Sequence, residues 1–266
     1  MGAEVLADTL RDRRRSLLWW ALALVALVGL NIAFYPSIRD DTALSEYSKD
    51  LPEGLRALFA GGELDISSPA GYLNSQIYAL TAPLLMLVFS IGAGSGGIAG
   101  EEERGTLELP LAHPLRRRDY VIQRFLALLV LIAMLSLVLL ATVALGSLVV
   151  DLEIGFDSLL AATGSVALLA VFFGCLALAV GGLGPGRARA TAVAAALATA
   201  AWIFDGLGQT VDALDGWRFL SPYYQALGEN PLREGIPWDG WAALAGGTLL
   251  LLAVATAGLE RRDIHQ

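Results

Sequence analysis

The residues able to do chemistry gather in one run, Glu101 to Arg118, EEERGTLELPLAHPLRRR. Three adjacent carboxylates, Glu101, Glu102 and Glu103, open it, and Arg116, Arg117 and Arg118 close it. Acids at a helix start complement its positive terminus. Arginines at the far end also favour an anionic membrane surface. Leu107, Leu109 and Leu111 offer apolar contact between them. This pattern suits docking of a partner, or helix capping and topology alone, rather than catalysis. His113 and His265 are the two histidines, and both lie outside the apolar runs, so histidine-based hydrolysis has no reacting centre to serve. Lys49, the one lysine, follows Ser48, whereas a phosphate-binding loop ends a glycine-rich turn in Lys-Ser or Lys-Thr. The chain therefore cannot hydrolyse ATP by that route. Cys175 is the one cysteine, which excludes an internal disulfide and a cysteine-rich metal site.

Ile91–Gly100, IGAGSGGIAG, carries a formal G-x-G-x-x-G at Gly92, Gly94 and Gly97. It ends an apolar helix instead of following a strand, so it is not a dinucleotide fingerprint. Gly92, Gly96 and Gly100 form a small-residue stripe suited to close helix packing in lipid, and with Pro83 they are candidate packing and hinge positions.

The elements around these residues are set by hydropathy. Of 266 residues, 56% are hydrophobic and 17% charged, with mean hydropathy +0.61. Apolar runs long enough to cross a hydrocarbon core recur. They predict six spans, near Leu17–Tyr35, Gln76–Gly100, Val121–Val150, Ser158–Leu183, Ala188–Phe204 and Gly240–Leu259. The first is too long for a signal-peptide core and is read as retained. The expectation is an all-α membrane protein of a single domain, residues 1–266. Placing both termini in the cytoplasm puts thirteen of the eighteen basic residues inside, which is the positive-inside pattern.

Residues 1–16 place Val5, Leu6, Thr9 and Leu10 on one helical face, with Asp8, Arg11, Asp12 and Arg15 mostly opposite. This predicts an amphipathic surface helix, with simple topogenic charge as the alternative. Residues 36–75 read as an outer loop with a short helix near Pro52–Phe59. Residues 205–239, rich in Trp and Tyr, read either as a re-entrant helical hairpin or as a loop resting on the headgroups. The acidic residues collect mainly in the outer segments and account for the net charge of −8 without a basic partner. The span centres offer Asn31, Thr81, Ser90, Ser136, Thr142, Ser165, Cys175 and Thr199, with no carboxylate to relay protons. Such a chain reads as the moving wall of a machine powered elsewhere.

From Glu101 on, EEERGTLELPLAHPLRRRDYVIQRF resembles the cytoplasmic segment of ABC-transporter permeases of the second exporter type, the ABC-2 permease family. LRALFAGGELDISSPAGYL from Leu55 and LSPYYQALGENPLREG from Leu220 are similar to the same family. The resemblance implies a permease half in the inner membrane, paired with a second permease chain as a homo- or heterodimer. It also implies nucleotide-binding ATPase subunits that hold ATP and Mg, while this chain binds no cofactor and no nucleic acid. The segment 101–119 would then hold a coupling helix seated on the ATPase, through Glu101, Glu102, Glu103, Arg104, Gly105, Thr106, Glu108 and His113. Pro110 departs from the family, which more often has leucine there. The cargo this reading favours is amphipathic or lipid-like, moved outward. A non-transporting membrane scaffold and an ATP-independent carrier are the rival readings.

Overall fold

The computed structural model describes residues 4–39, 68–103, 105 and 116–261. Among these no strand occurs, and six helical segments are long and apolar enough to cross a membrane. Helix α1 spans Glu4–Arg39. The second span comprises α2 (Pro69–Leu73), a π-helical turn (Asn74–Tyr78) and α3 (Thr81–Ser95), and the short α4 (Ala99–Glu103) follows it. Then come α5 (Arg117–Val149), α6 (Phe156–Leu183) and α7 (Arg187–Gly208). Four short elements, α8 (Asp212–Asp215), a 3-10 turn (Arg218–Leu220), α9 (Pro222–Leu227) and α10 (Pro231–Glu234), lead to α11 (Trp238–Arg261).

Three boundaries differ from expectation. The N-terminal segment is no separate helix. From Glu4 it runs unbroken into the first span, because no glycine or proline interrupts it before Gly29. Its 36 residues make a rod about 54 Å long at 1.5 Å per residue, well beyond one hydrocarbon thickness. The second span begins at Pro69, inside the stretch expected as loop. Ser68 caps it by accepting the Gly71 N–H at 3.2 Å, and Pro69 supplies a helical φ at the first turn.

The second span is also jointed, where a single run from Gln76 to Gly100 was expected. Pro83 has no N–H for the carbonyl of Ala79 and its ring crowds that carbonyl, so the helix breaks at Ala79–Leu80. A second joint, the turn Gly96–Ile98, separates α3 from α4. The helix expected near Pro52–Phe59 lies outside the described residues.

Helix α6 is the hub, packing against α3, α5, α7 and α11, while α1 packs along α5. Backbones meet at glycines. A Cβ on Gly94 would stand 2.0 Å from the Gly174 carbonyl oxygen, and one on Gly182 would stand 2.7 Å from that of Ala255. Of the expected stripe, Gly92 faces open space while Gly96 and Gly100 are buried, and the closest backbone approach in this stretch falls on Gly94. Within residues 205–239, α9 and α10 pack back into the bundle, while Trp217, Phe219 and Trp238 stay exposed. Tyr223 of α9 clusters with Leu87, Leu169, Phe173 and Leu244, and its ring lies 6.5 Å from that of Phe173, midway along α6. Gly240 allows this, since a Cβ there would lie 1.9 Å from the Gln225 carbonyl oxygen. The Trp241 indole N–H donates to Ser165 Oγ at 2.9 Å and pins the start of α11 to α6.

Candidate functional site: the acidic junction at Glu101

The turn at Gly96–Ile98 redirects the chain so that α4 crosses the ends of three long helices. Ile98 anchors it, fully buried with Tyr120, Val121, Leu178 and Leu259. From that anchor the acids spread outward. The Glu101 carboxylate pairs with the Arg124 guanidinium and accepts the Tyr120 hydroxyl, both on the first turns of α5. Arg124 also donates from Nε to the Tyr120 oxygen at 3.1 Å and from Nη1 to Thr9 Oγ1 of α1 at 2.6 Å. Its guanidinium carbon stands 5.1 Å from the Tyr120 ring centroid. The side chains of Arg124 and Glu101 are 10% and 14% exposed. Such a buried pair stabilises little in net terms, because desolvation offsets attraction, but removing one partner strands the other charge.

Glu103 turns to another neighbour. Its Oε1 accepts the backbone N–H of Arg187 at 2.7 Å, the first residue of α7. Gly186, at φ 106°, makes the tight entry into that helix. Nearby contacts fasten the remaining ends. Thr191 of α7 donates to Ser95 Oγ at 2.9 Å, and Arg117 donates to the Leu259 carbonyl of α11 at 3.0 Å. Arg13 of α1 reaches the Gly92 carbonyl at 3.5 Å, lying where a Gly96 Cβ would sit 2.2 Å from its Nη2. A cation placed on the last carbonyls of α3 complements the negative helix end.

Of the candidate residues, Glu101 and Glu102 are half-buried, Glu103 is exposed, and Gly105 is exposed at φ 65°. Gly100 is buried in α4, and Pro83 is buried in the first turn of α3. Arg104, Thr106, Glu108 and His113 lie outside the described residues. Glu101 and Glu103 are therefore engaged within the chain, each holding a different helix. Sequence reasoning missed Tyr120, Arg124, Thr9 and Arg187 as members of the junction. The available signal was Arg124 itself, a lone guanidinium four residues into an apolar run, which requires a counter-charge. Among the described residues no group of three His, Cys, Asp or Glu side chains could hold a metal.

Six membrane-length helices, with a broken second span and an acidic joint at one end, define a polytopic helical membrane protein. The model of the ABC-2 family transporter protein matches residues 4–215, and the chain belongs to that family. It is similar to the probable ABC transporter permease protein NosY of Pseudomonas aeruginosa, 29% identical over 207 residues, or 77% of this chain. The chain spans 65% of that relative's length.

Proposed function

We propose that the chain is the membrane-spanning permease subunit of an ATP-driven exporter. ATP and Mg belong to a separate ATPase subunit, and a second permease chain completes the translocation path. The Glu101 end faces the cytoplasm, in keeping with the arginines of α1, α5 and α7. The observation that carries this reading is the acidic helix α4. It grips α5 and α1 through Glu101 and Arg124, and α7 through Glu103, immediately before the segment 104–115.

A partner that seats on 104–115 and moves with ATP binding displaces α4, and α4 carries three helices with it. The jointed second span, with its breaks at Ala79–Leu80 and Gly96–Ile98, absorbs the change of shape. On the outer side, α9 and α10 re-enter the membrane, which fits the seat of Tyr223 against the middle of α6. The apolar span faces suit an amphipathic or lipid-like cargo moving outward or from the inner leaflet.

The test is purification of the tagged chain from its host in mild detergent, followed by reconstitution with any co-purifying ATPase. Cargo movement that requires both ATP and the intact Glu101–Arg124 pair is the expected result. A chain that purifies alone, or that transports without ATP, would overturn the reading.

A further inference from the structure

At the end of the bundle opposite Glu101, the π-helical turn of the second span, the last turns of α7 and the α9–α10 corner enclose a cavity of about 40 Å³. That is room for roughly three water-sized groups. Buried polar groups in folded proteins almost always find partners, and here Asn230 Oδ1 does not. Asn74, 9% exposed, contributes an amide to the cavity lining. Tyr223, 8% exposed, contributes a phenol. Asn230 Oδ1 is buried without a partner, and Asn230, at φ 48°, precedes α10 without capping it, unlike the usual asparagine at a helix start.

All three residues line the same cavity, as does Ala79 at the proline-made break. Broken spans with irregular backbone beside a cavity are where membrane transporters build binding sites. A π-helical turn within a helix is likewise a frequent mark of function.

Charge selects the ligand class. Asp205 lines the cavity, but its Oδ1 lies 3.2 Å from Arg218 Nη2 and 3.3 Å from Nε, while Gln209 Nε2 stands 3.5 Å from Oδ2. The charged pair is satisfied and largely shielded, at 14–15% side-chain exposure. A cation or anion entering would bring an unmatched charge into a partly desolvated site. The neutral polar groups lining it include the amides of Asn74 and Asn230 and the Tyr223 phenol, groups that both donate and accept. A hydroxyl does the same.

We propose that this cavity is a binding station for the hydroxyl groups of a neutral polyol, either free or as the headgroup of a neutral glycolipid. It stands on the chain alone, independent of the permease reading, and its test needs no ATPase. The full chain is labelled with 5-fluorotryptophan, and the fluorine resonance of Trp202, which lines the cavity, is assigned with Trp202→Phe. Glycerol is titrated in detergent micelles, and in parallel the chain is placed in phosphatidylcholine nanodiscs with or without monogalactosyl diacylglycerol.

A saturable shift of the Trp202 signal with glycerol identifies a free polyol. A shift only with the galactolipid identifies the headgroup. Asn74→Leu, which removes hydrogen-bonding groups, and Ala79→Met, which fills the cavity, should each weaken the response at least tenfold. No saturable shift with either probe overturns the proposal, as does a shift that both variants leave unchanged. Neither result touches the pairing with an ATPase, which co-purification reports separately.

Discussion

Glu103 and Arg187, 84 residues apart in sequence, meet as carboxylate and backbone N–H at 2.7 Å, so that one helix caps the start of another. The contact satisfies an amide that α7 cannot satisfy itself, and it places negative charge at the positive end of that helix. Glu103→Ala should therefore fray the first turn of α7. Hydrogen exchange at residues 187–190 should accelerate, with a stability loss of about 0.3–1 kcal/mol at this exposed position. Unchanged exchange there would show that the cap contributes nothing.

The Glu101–Arg124 pair makes a different prediction, because it is buried. Glu101→Ala alone should destabilise strongly, by about 3–5 kcal/mol, since Arg124 is left without its carboxylate. Replacing both, as Glu101→Leu with Arg124→Met, should recover most of that stability. On the proposed permease reading, a complex assembled with the double variant should keep the partner's ATP hydrolysis yet move cargo poorly. Thermal unfolding in detergent gives the first comparison and coupled flux the second. Full transport by the double variant would mean that the pair is structural only.

Two glycines two residues apart should behave oppositely. Gly94→Ala drives a methyl to within 2.0 Å of the Gly174 carbonyl oxygen, so α3 and α6 must separate. Gly92→Ala meets nothing within 4 Å and should stabilise by about 0.5–1 kcal/mol, the usual gain for alanine in a helix. Melting temperatures in one detergent decide the matter, and equal effects would contradict the packing described.

Pro83→Ala restores an N–H that can donate to the Ala79 carbonyl. The second span should become one continuous helix, with new exchange protection at residue 83 and stability held or raised. Transport should fall if the joint is needed for the cycle. Wild-type transport rates with a closed joint would remove the hinge role of Pro83.

The six-helix architecture was legible because a bilayer sets the length of whatever crosses it, and runs such as Val121–Val150 meet that length unaided. What stayed hidden depends on neighbours. In IGAGSGGIAG several spacings of small residues fit a helix face equally well. Only the position of Gly174 on another helix selects Gly94. The start of the second span at Pro69 was masked because Ser68 and Pro69 read equally as loop and as helix start. Arg124 was visible as a charge, but its pairing with Glu101 crosses a chain reversal that no local pattern encodes.

The unbroken course of α1 has a mechanical consequence. Near one end Arg13 touches the Gly92 carbonyl, and toward the other Tyr35 packs 4.9 Å from Tyr72 while the Asn31 carbonyl accepts the Tyr72 hydroxyl at 2.7 Å. The jointed second span is therefore strung along a jointless rod, like a chain of links along a bow. A tilt of a few degrees at Arg13 would carry Tyr35 roughly 3 Å sideways, given about 33 Å of helix between them. The joint at Ala79–Leu80 lies between those two anchor points, so that link must turn whenever the bow leans.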